Sequence, residues 1–184
     1  MALHEHIRHT PILSASEAPI SMIGAFAESV GQATDLTQVG ECILRILSEQ
    51  LRLPEAAIWI READGQYHLL ASLGHRTLAA LPASLPDNHA LITGLSDRLH
   101  LLRYDQASSS PAGSAMISIQ AAVCLPLRNK TQFLGLCALG PIGTECHLDE
   151  DTVIIAETVA RIACNTLDHH LAQDDLRRSS TLMR

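Results

Sequence analysis

A mixed α/β fold, with helices laid against short paired strands, is predicted by three features of this 184-residue chain. The stretch Ile119–Leu139 reads as two apolar runs, Ala121–Leu127 and Gln132–Leu139, joined by the polar turn Arg128-Asn129-Lys130-Thr131. Runs of that length bounded by a polar turn suit buried strands. A second pair, Ala56–Arg61 and Tyr67–Ser72, brackets Glu62-Ala63-Asp64-Gly65, whose Asp-Gly supplies positive-φ turn residues. The third feature is a long apolar periodicity after Asp149, which predicts a closing helix.

With 47% apolar residues the chain can close one substantial core, and a single domain with extensions is the simplest division. A net charge of −7 and a pI near 5.7 give no electrostatic reason to expect nucleic acid or an anionic membrane. Aromatics at 3% argue against a base-stacking surface. No run approaches the roughly 20 apolar residues of a membrane span, and MALHEHIRHT lacks the apolar centre of a secretory signal. Five cysteines without CxxC spacing argue against a disulfide framework or a zinc ribbon. A cytoplasmic protein with reduced thiols is expected.

Residues 1–15 read as a flexible lead, with His4, His6 and His9 in a solvated tract. A helix is predicted over 16–33, where Ser16 can cap, Pro19 suits the first turn, and Ile20, Ile23, Phe26, Ala27 and Val30 recur at helical spacing. A second begins at Asp35, with Gln38 at the reciprocal capping-box position, and is stopped by Pro54. After the hairpin, residues 75–96 carry Pro82, Pro86 and Gly94 around short helical turns, the better one at Asp87–Thr93. A third strand is read at Arg98–Leu102, and Tyr104–Ser114, with its Ser and Pro-Ala-Gly cluster, as the loosest interior segment. Met116–Ile119 reads as a brief turn before the central strands. Within those strands Pro126 removes a donor and Gly135 a side chain, each marking interrupted pairing or a close backbone approach. Gly140, Pro141 and Gly143 end the sheet. Asp149, Glu150 and Asp151 place negative charge on the first turn of the closing helix, predicted over 149–176, and 177–184 is a tail.

In this order the elements resemble the GAF family of small regulatory domains, which are related in fold to PAS domains. EAAIWIREADGQYHLLASLG is similar to that family's first hairpin, AAVCLPLRNKTQFLGLCALGP to its usual ribbon, and HLDEDTVIIAETVARIACNTL to its closing helix. The likeness covers about residues 20–172, within a domain set at 16–176. It implies a central antiparallel sheet in the order 2-1-5-4-3. The first and last helices would lie on one face and a small-molecule pocket on the other. It further implies a sensory or regulatory role in signal transduction or transcription control.

Specialised branches of the family find weak counterparts. Cys146-His147 has the look of a bilin-attachment pair but lies after the last strand, and is read as a helix-entry turn. Asn129-Lys130 reads as a hairpin turn rather than part of a cyclic-nucleotide set, and Arg61 with Asp64 as a surface turn rather than a cyclic-di-GMP motif. His89, His100, Asp97, Asp105 and Cys124 lack diagnostic spacing for an iron site, and no metal is predicted. The branch that reduces free methionine sulfoxide needs an accessible thiol of lowered pKa and a resolving partner. Cys42 and Cys164 fall on apolar helix positions and Cys124 and Cys137 within strands, leaving Cys146 as the exposed one, so no catalysis is expected.

Strand alternation puts Ala122, Cys124 and Pro126 on one face and Val123, Leu125 and Leu127 on the other. The larger set should meet the helices and the smaller set border the pocket. Leu136 and Ala138 are its neighbours by family analogy, and His89, His100 and Tyr104 are polar contacts from the covering segments. The plainer reading is that these residues fill a small core. The apolar positions of the closing helix nearly encircle it, so its outer face and the first helix are expected to pair with a second copy through Ile23, Phe26, Val159, Ile162, Leu167 and Leu171. The expected partners are therefore a second copy and a small-molecule effector of unknown identity, with an output domain beyond Arg184 if the chain is a fragment. The alternatives are a purely structural dimerisation module or a thiol-dependent reductase.

Overall fold

Asp35 begins the second helix as the sequence indicates, its carboxylate accepting the Gln38 N–H at 2.8 Å, while the Gln38 side chain accepts the Thr34 N–H at 3.1 Å rather than the Asp35 N–H of a reciprocal capping box. This computed structural model describes residues 17–74, 81–145 and 148–182, with side chains at 23–74, 81–145 and 148–173. The early histidines and Cys146-His147 lie outside the described residues. Helix α1 spans Glu17–Gly31 and α2 spans Leu36–Leu51, ending where Arg52 turns left-handed at φ 53°. The hairpin follows as β1 (Glu55–Arg61) and β2 (Tyr67–Leu73), with Gly65 at φ +81° in its turn. Asp64 accepts the Gln66 N–H at 2.9 Å and fixes that turn.

A two-residue strand, β3 (Ser84–Leu85), is added at the β2 edge, so the sheet has six strands in the order β3-β2-β1-β6-β5-β4. Without β3, the five anticipated strands keep the anticipated order, all antiparallel. The central strands are β5 (Val123–Arg128) and β6 (Phe133–Gly140). Cys137 lies between Ile58 and Leu125 in one cross-strand row, and Ala138 between Ala57 and Cys124 in the next.

Three segments depart from expectation. Strand β4 is only Leu102–Arg103, not Arg98–Leu102, because the backbone and guanidinium of Arg98 bond back to Leu95 and Gly94 and keep 96–99 in a turn. Helix α3 covers Ala90–Leu95 rather than Asp87–Thr93, because His89 serves as its cap. The Ser-Pro stretch expected as loop forms α4 (Tyr104–Ala107) and α5 (Pro111–Ser118). Ser110 Oγ accepts the Gly113 N–H at 3.2 Å and Pro111 occupies the first helical position, so the same residues that read as turn chemistry serve as a helix start.

Helix α6 runs from Glu150 to Leu182, 33 residues. It lies with α1 and α2 over the sheet face that carries Ile58, Ile60, Val123, Leu125, Leu127, Cys137 and Leu139. Phe26, Val159 and Leu167, expected at a copy-to-copy contact, are each 0% exposed within this one chain's core. The reason is α2: it packs against α6 and supplies in cis the apolar cover assigned to a partner. Ile162 and Leu171 pack at the margin of that core, and Ile23 is half-buried. The opposite sheet face carries a second core built with α3, α4 and α5.

Candidate functional site

The sheet face expected to border a pocket is filled. Cys124 and Leu136 are fully buried and Ala138 nearly so, in a core with Trp59, Tyr67, Leu95, Leu102 and Met116. Trp59 donates its indole N–H to Pro82 O at 3.0 Å, tying β1 to the segment before β3. Beside Ala138, between Ala57, Leu81, Ile119 and Ala121, is a niche of about 20 Å³, room for about one water.

The polar candidates divide between the two faces. Tyr104 packs at the edge of the second core, and its N–H bonds Ala122 O at 2.9 Å. His89 caps α3 by accepting the Leu91 N–H on Nδ1 at 3.3 Å, and burial lowers its imidazole pKa. Two assignments are corrected. Ala122 packs with the helix-side core, because regular alternation starts only at Val123, after Gln120 takes a left-handed φ of 54°. His100 is 80% exposed and turns to α6, where its Nδ1 meets the Glu157 carboxylate at 3.1 Å.

Burial governs three of the thiols. It pushes Cys124 and Cys164 up to about 12 and Cys137 well above its usual range, so none of these three is a thiolate near neutral pH. Cys42 is half-buried on α2 with its sulfur 4.0 Å from an Arg45 nitrogen. Among the described residues, no group of three His, Cys, Asp or Glu could hold a metal ion.

A roomier feature than that niche lies at the open edge of β5. Because β4 pairs only with Val123 and Cys124, the outer edge from Leu125 to Arg128 has no strand partner, and Pro126 sits there, where a missing donor is tolerated. A cleft of about 420 Å³ opens between this edge and α6. Leu99, 71% exposed, gives it an apolar wall, Leu125, Pro126 and Ala160 lie buried beneath it, and Arg128, Lys130 and Arg161 line it with positive charge. Arg128 is held by a bond from Nη1 to Ser96 O at 3.0 Å. Its Nε is, among the described residues, the one buried side-chain nitrogen or oxygen without a hydrogen-bond partner. An unmet donor of that kind costs roughly 1–3 kcal/mol.

Two carboxylates of α6 tie this rim to the helix. Glu157 accepts the Leu101 N–H at 3.2 Å besides meeting His100. Asp168, three turns on, accepts the side-chain amides of Asn129 and Gln132, each at 3.1 Å. Sequence reading took Arg128 to Thr131 as a turn and no more. The available signal was the spacing of Glu157, Arg161 and Asn165 at four-residue steps, which puts three polar side chains on one stripe of the helix.

Comparison with known proteins decides the architecture. No protein-family model and no curated protein sequence matches the chain. Solved structures do. The GAF domain of an Acinetobacter phosphoenolpyruvate-protein phosphotransferase superposes with a TM-score of 0.68 at 12% identity, covering 84% of this chain and 95% of that one. The fold is that of a GAF domain. The GAF domain of the Coxiella burnetii phosphoenolpyruvate-protein phosphotransferase matches with the same TM-score at 18% identity, over 88% of this chain and 99% of that one. The chromophore-binding domain of a bacteriophytochrome from R. palustris matches with a TM-score of 0.64 at 11% identity, over 86% of this chain and 63% of that one. On this GAF fold the second core occupies the face where the resemblance implied a pocket.

Proposed function

We propose that the chain is a sensory or regulatory domain without catalysis of its own, which binds a small-molecule effector and passes that event to α6. The observation that carries this reading is the double tether of α6. Glu157 holds the residues just before β4, and Asp168 holds the β5–β6 turn, so the two ends of the sheet rim are coupled to one helix. A ligand that displaces either segment must move or strain α6. The helix backbone runs eleven residues past Leu171, the last apolar side chain packed on the core among the described residues. GAF-fold neighbours include the domain from a bacteriophytochrome and part of a methyl-accepting chemotaxis protein, which supports the sensory class.

Burial of the three raised thiols speaks against the reductase alternative. None of the described helices is long and apolar enough to cross a membrane, which suits the cytoplasmic placement that belongs to this proposal. Association with a second copy is also part of it, now through residues left at the core margin: Ile155 and Ile162, seven apart on α6 and both half-buried, with Ile23 of α1. The filled second core favours one competing reading, a dimerisation module that binds nothing.

Native mass spectrometry of the freshly purified chain, set against its denatured mass, separates them. A dimer carrying mass that is lost on denaturation supports the sensor. A bare dimer, unchanged after incubation with a cell metabolite extract, supports the dimerisation module. A bare monomer removes the association proposal.

A further inference from the structure

We propose that the cleft at the β5 edge binds a small organic anion, with a compact apolar body against Leu99 and a phosphate or carboxylate held by Arg128, Lys130 and Arg161. This rests on the sensory reading and adds where the effector sits and what charge it carries.

Three cations line one cleft in a chain whose net charge is −7. None of the three takes part in an ion pair among the described residues. The acidic group lining the same cleft, Glu157, is already engaged by His100 and the Leu101 N–H. The cleft thus sets three cations against one carboxylate. Arg128 adds the second observation: its guanidinium is anchored on Ser96 O, and its buried Nε is unmet. A guanidinium fixed by that anchor is preorganised for a planar oxyanion. Lys130 and Arg161 are exposed and come from different elements, the β5–β6 turn and α6. An anion bridging them draws those elements together.

The volume, about 420 Å³, falls within the usual range for small-molecule sites. The open edge exists because β4 stops after two residues. Asn129, next to Lys130, already bonds Asp168 of α6, so closure on an anion acts on the same turn and helix that the tether joins. The occupant is defined by its chemistry: one oxyanion group on a small apolar frame.

The test is protein-detected NMR on the full chain, with phenyl phosphate as probe and phenol as its neutral counterpart. Phenyl phosphate is expected to shift the amides of 125–130 and 157–165 saturably, with half-saturation at about 1 mM or below, and phenol is expected to leave them in place. Lys130→Glu with Arg161→Glu replaces two exposed side chains, so folding is retained, and should weaken binding by about tenfold or more. Added salt should weaken it further. Absence of saturable shifts overturns the proposal, as does perturbation confined to α3, α5 and the surroundings of Cys124. The sensory reading is judged separately, by the mass carried through purification. Mass retained equally by wild type and the double variant sinks the cleft assignment and leaves the sensor standing. Mass lost in the double variant supports both.

Discussion

Adding one methyl group at Gly135 should unfold the sheet more readily than most single substitutions do. Gly135 lies in β6 opposite Ile60 of β1 and Leu127 of β5, so both edges of its strand are occupied. A Cβ there would overlap the Trp59 carbonyl oxygen and lie 3.1 Å from Ile60 Cα. The obstructing atoms are backbone within a paired strand, so no side-chain rotation relieves them. Overpacking costs about 1–3 kcal/mol where neighbours can shift, and a rigid strand puts Gly135→Ala at about 3 kcal/mol or above. For a chain of this size that lowers Tm by roughly 6–12 °C. The control is Gly24→Ala, the same methyl in the middle of α1, where nothing lies within 4 Å of the added carbon. Alanine is favoured over glycine in a helix by up to about 1 kcal/mol, so this variant should be slightly more stable. Urea unfolding followed by far-UV circular dichroism measures both, with the fully buried Trp59 as a fluorescence check. If Gly135→Ala unfolded within about 0.5 kcal/mol of wild type, the claim that β1 and β6 leave no room for a side chain would be wrong.

Three further outcomes concern a helix cap, a buried imidazole and the thiols. Ser110→Ala removes the cap of α5 and should cost about 1 kcal/mol in the same assay, whereas Ser110→Asp should retain most of it. His89 has a lowered pKa because burial disfavours its charged form, so the unfolded chain binds the extra proton first. Its contribution is therefore present above the unfolded pKa of about 6.5 and lost as pH falls through the lower folded value. His89→Asn, which keeps an acceptor for the Leu91 N–H, should be less acid-sensitive than wild type below that pH, and equal sensitivity would refute the assignment. His68, raised by its bond to Asp64, contributes with the opposite sign and is common to both proteins. Under native conditions a thiol reagent should leave Cys124, Cys137 and Cys164 unmodified while labelling Cys42, and mass mapping after digestion reads this directly.

Local chemistry explains why much of the architecture was readable in advance. Asp35 and Gln38 cap a helix through atoms three or four residues apart, and Asp64-Gly65 makes a turn through its own backbone. Both signals sit inside a few residues. Gly135 was legible as a close approach because a missing side chain in an apolar strand has few other uses. The alternation that sends Leu125 to the helices and Cys124 to the other face also follows from the strand itself. It failed at Ala122 because a left-handed Gln120 breaks the period just upstream. Ser110-Pro111 misled because a cap and a turn use the same residue types, and burial of Ala112 and Met116 decides between them.

Questions of who covers whom were beyond local reading. The periodicity of α6 shows apolar positions nearly all round, but it cannot say whether α2 or a second chain meets Val159 and Leu167. Hydrophobic burial has no direction and accepts any apolar neighbour. Likewise the face behind Cys124 was readable as small and apolar, yet only packing determined that Trp59, Leu95 and Met116 fill it. The cationic cleft lies furthest from the linear pattern. Arg128 ends β5, Lys130 lies in the turn after it, and Arg161 belongs to a helix more than thirty residues later, and their spacing in sequence carries no mark of the meeting. Helices, turns and strand faces are decided by forces acting over a few residues, whereas a site needs charges from separate elements brought together, which happens only when the sheet edge and α6 close on each other.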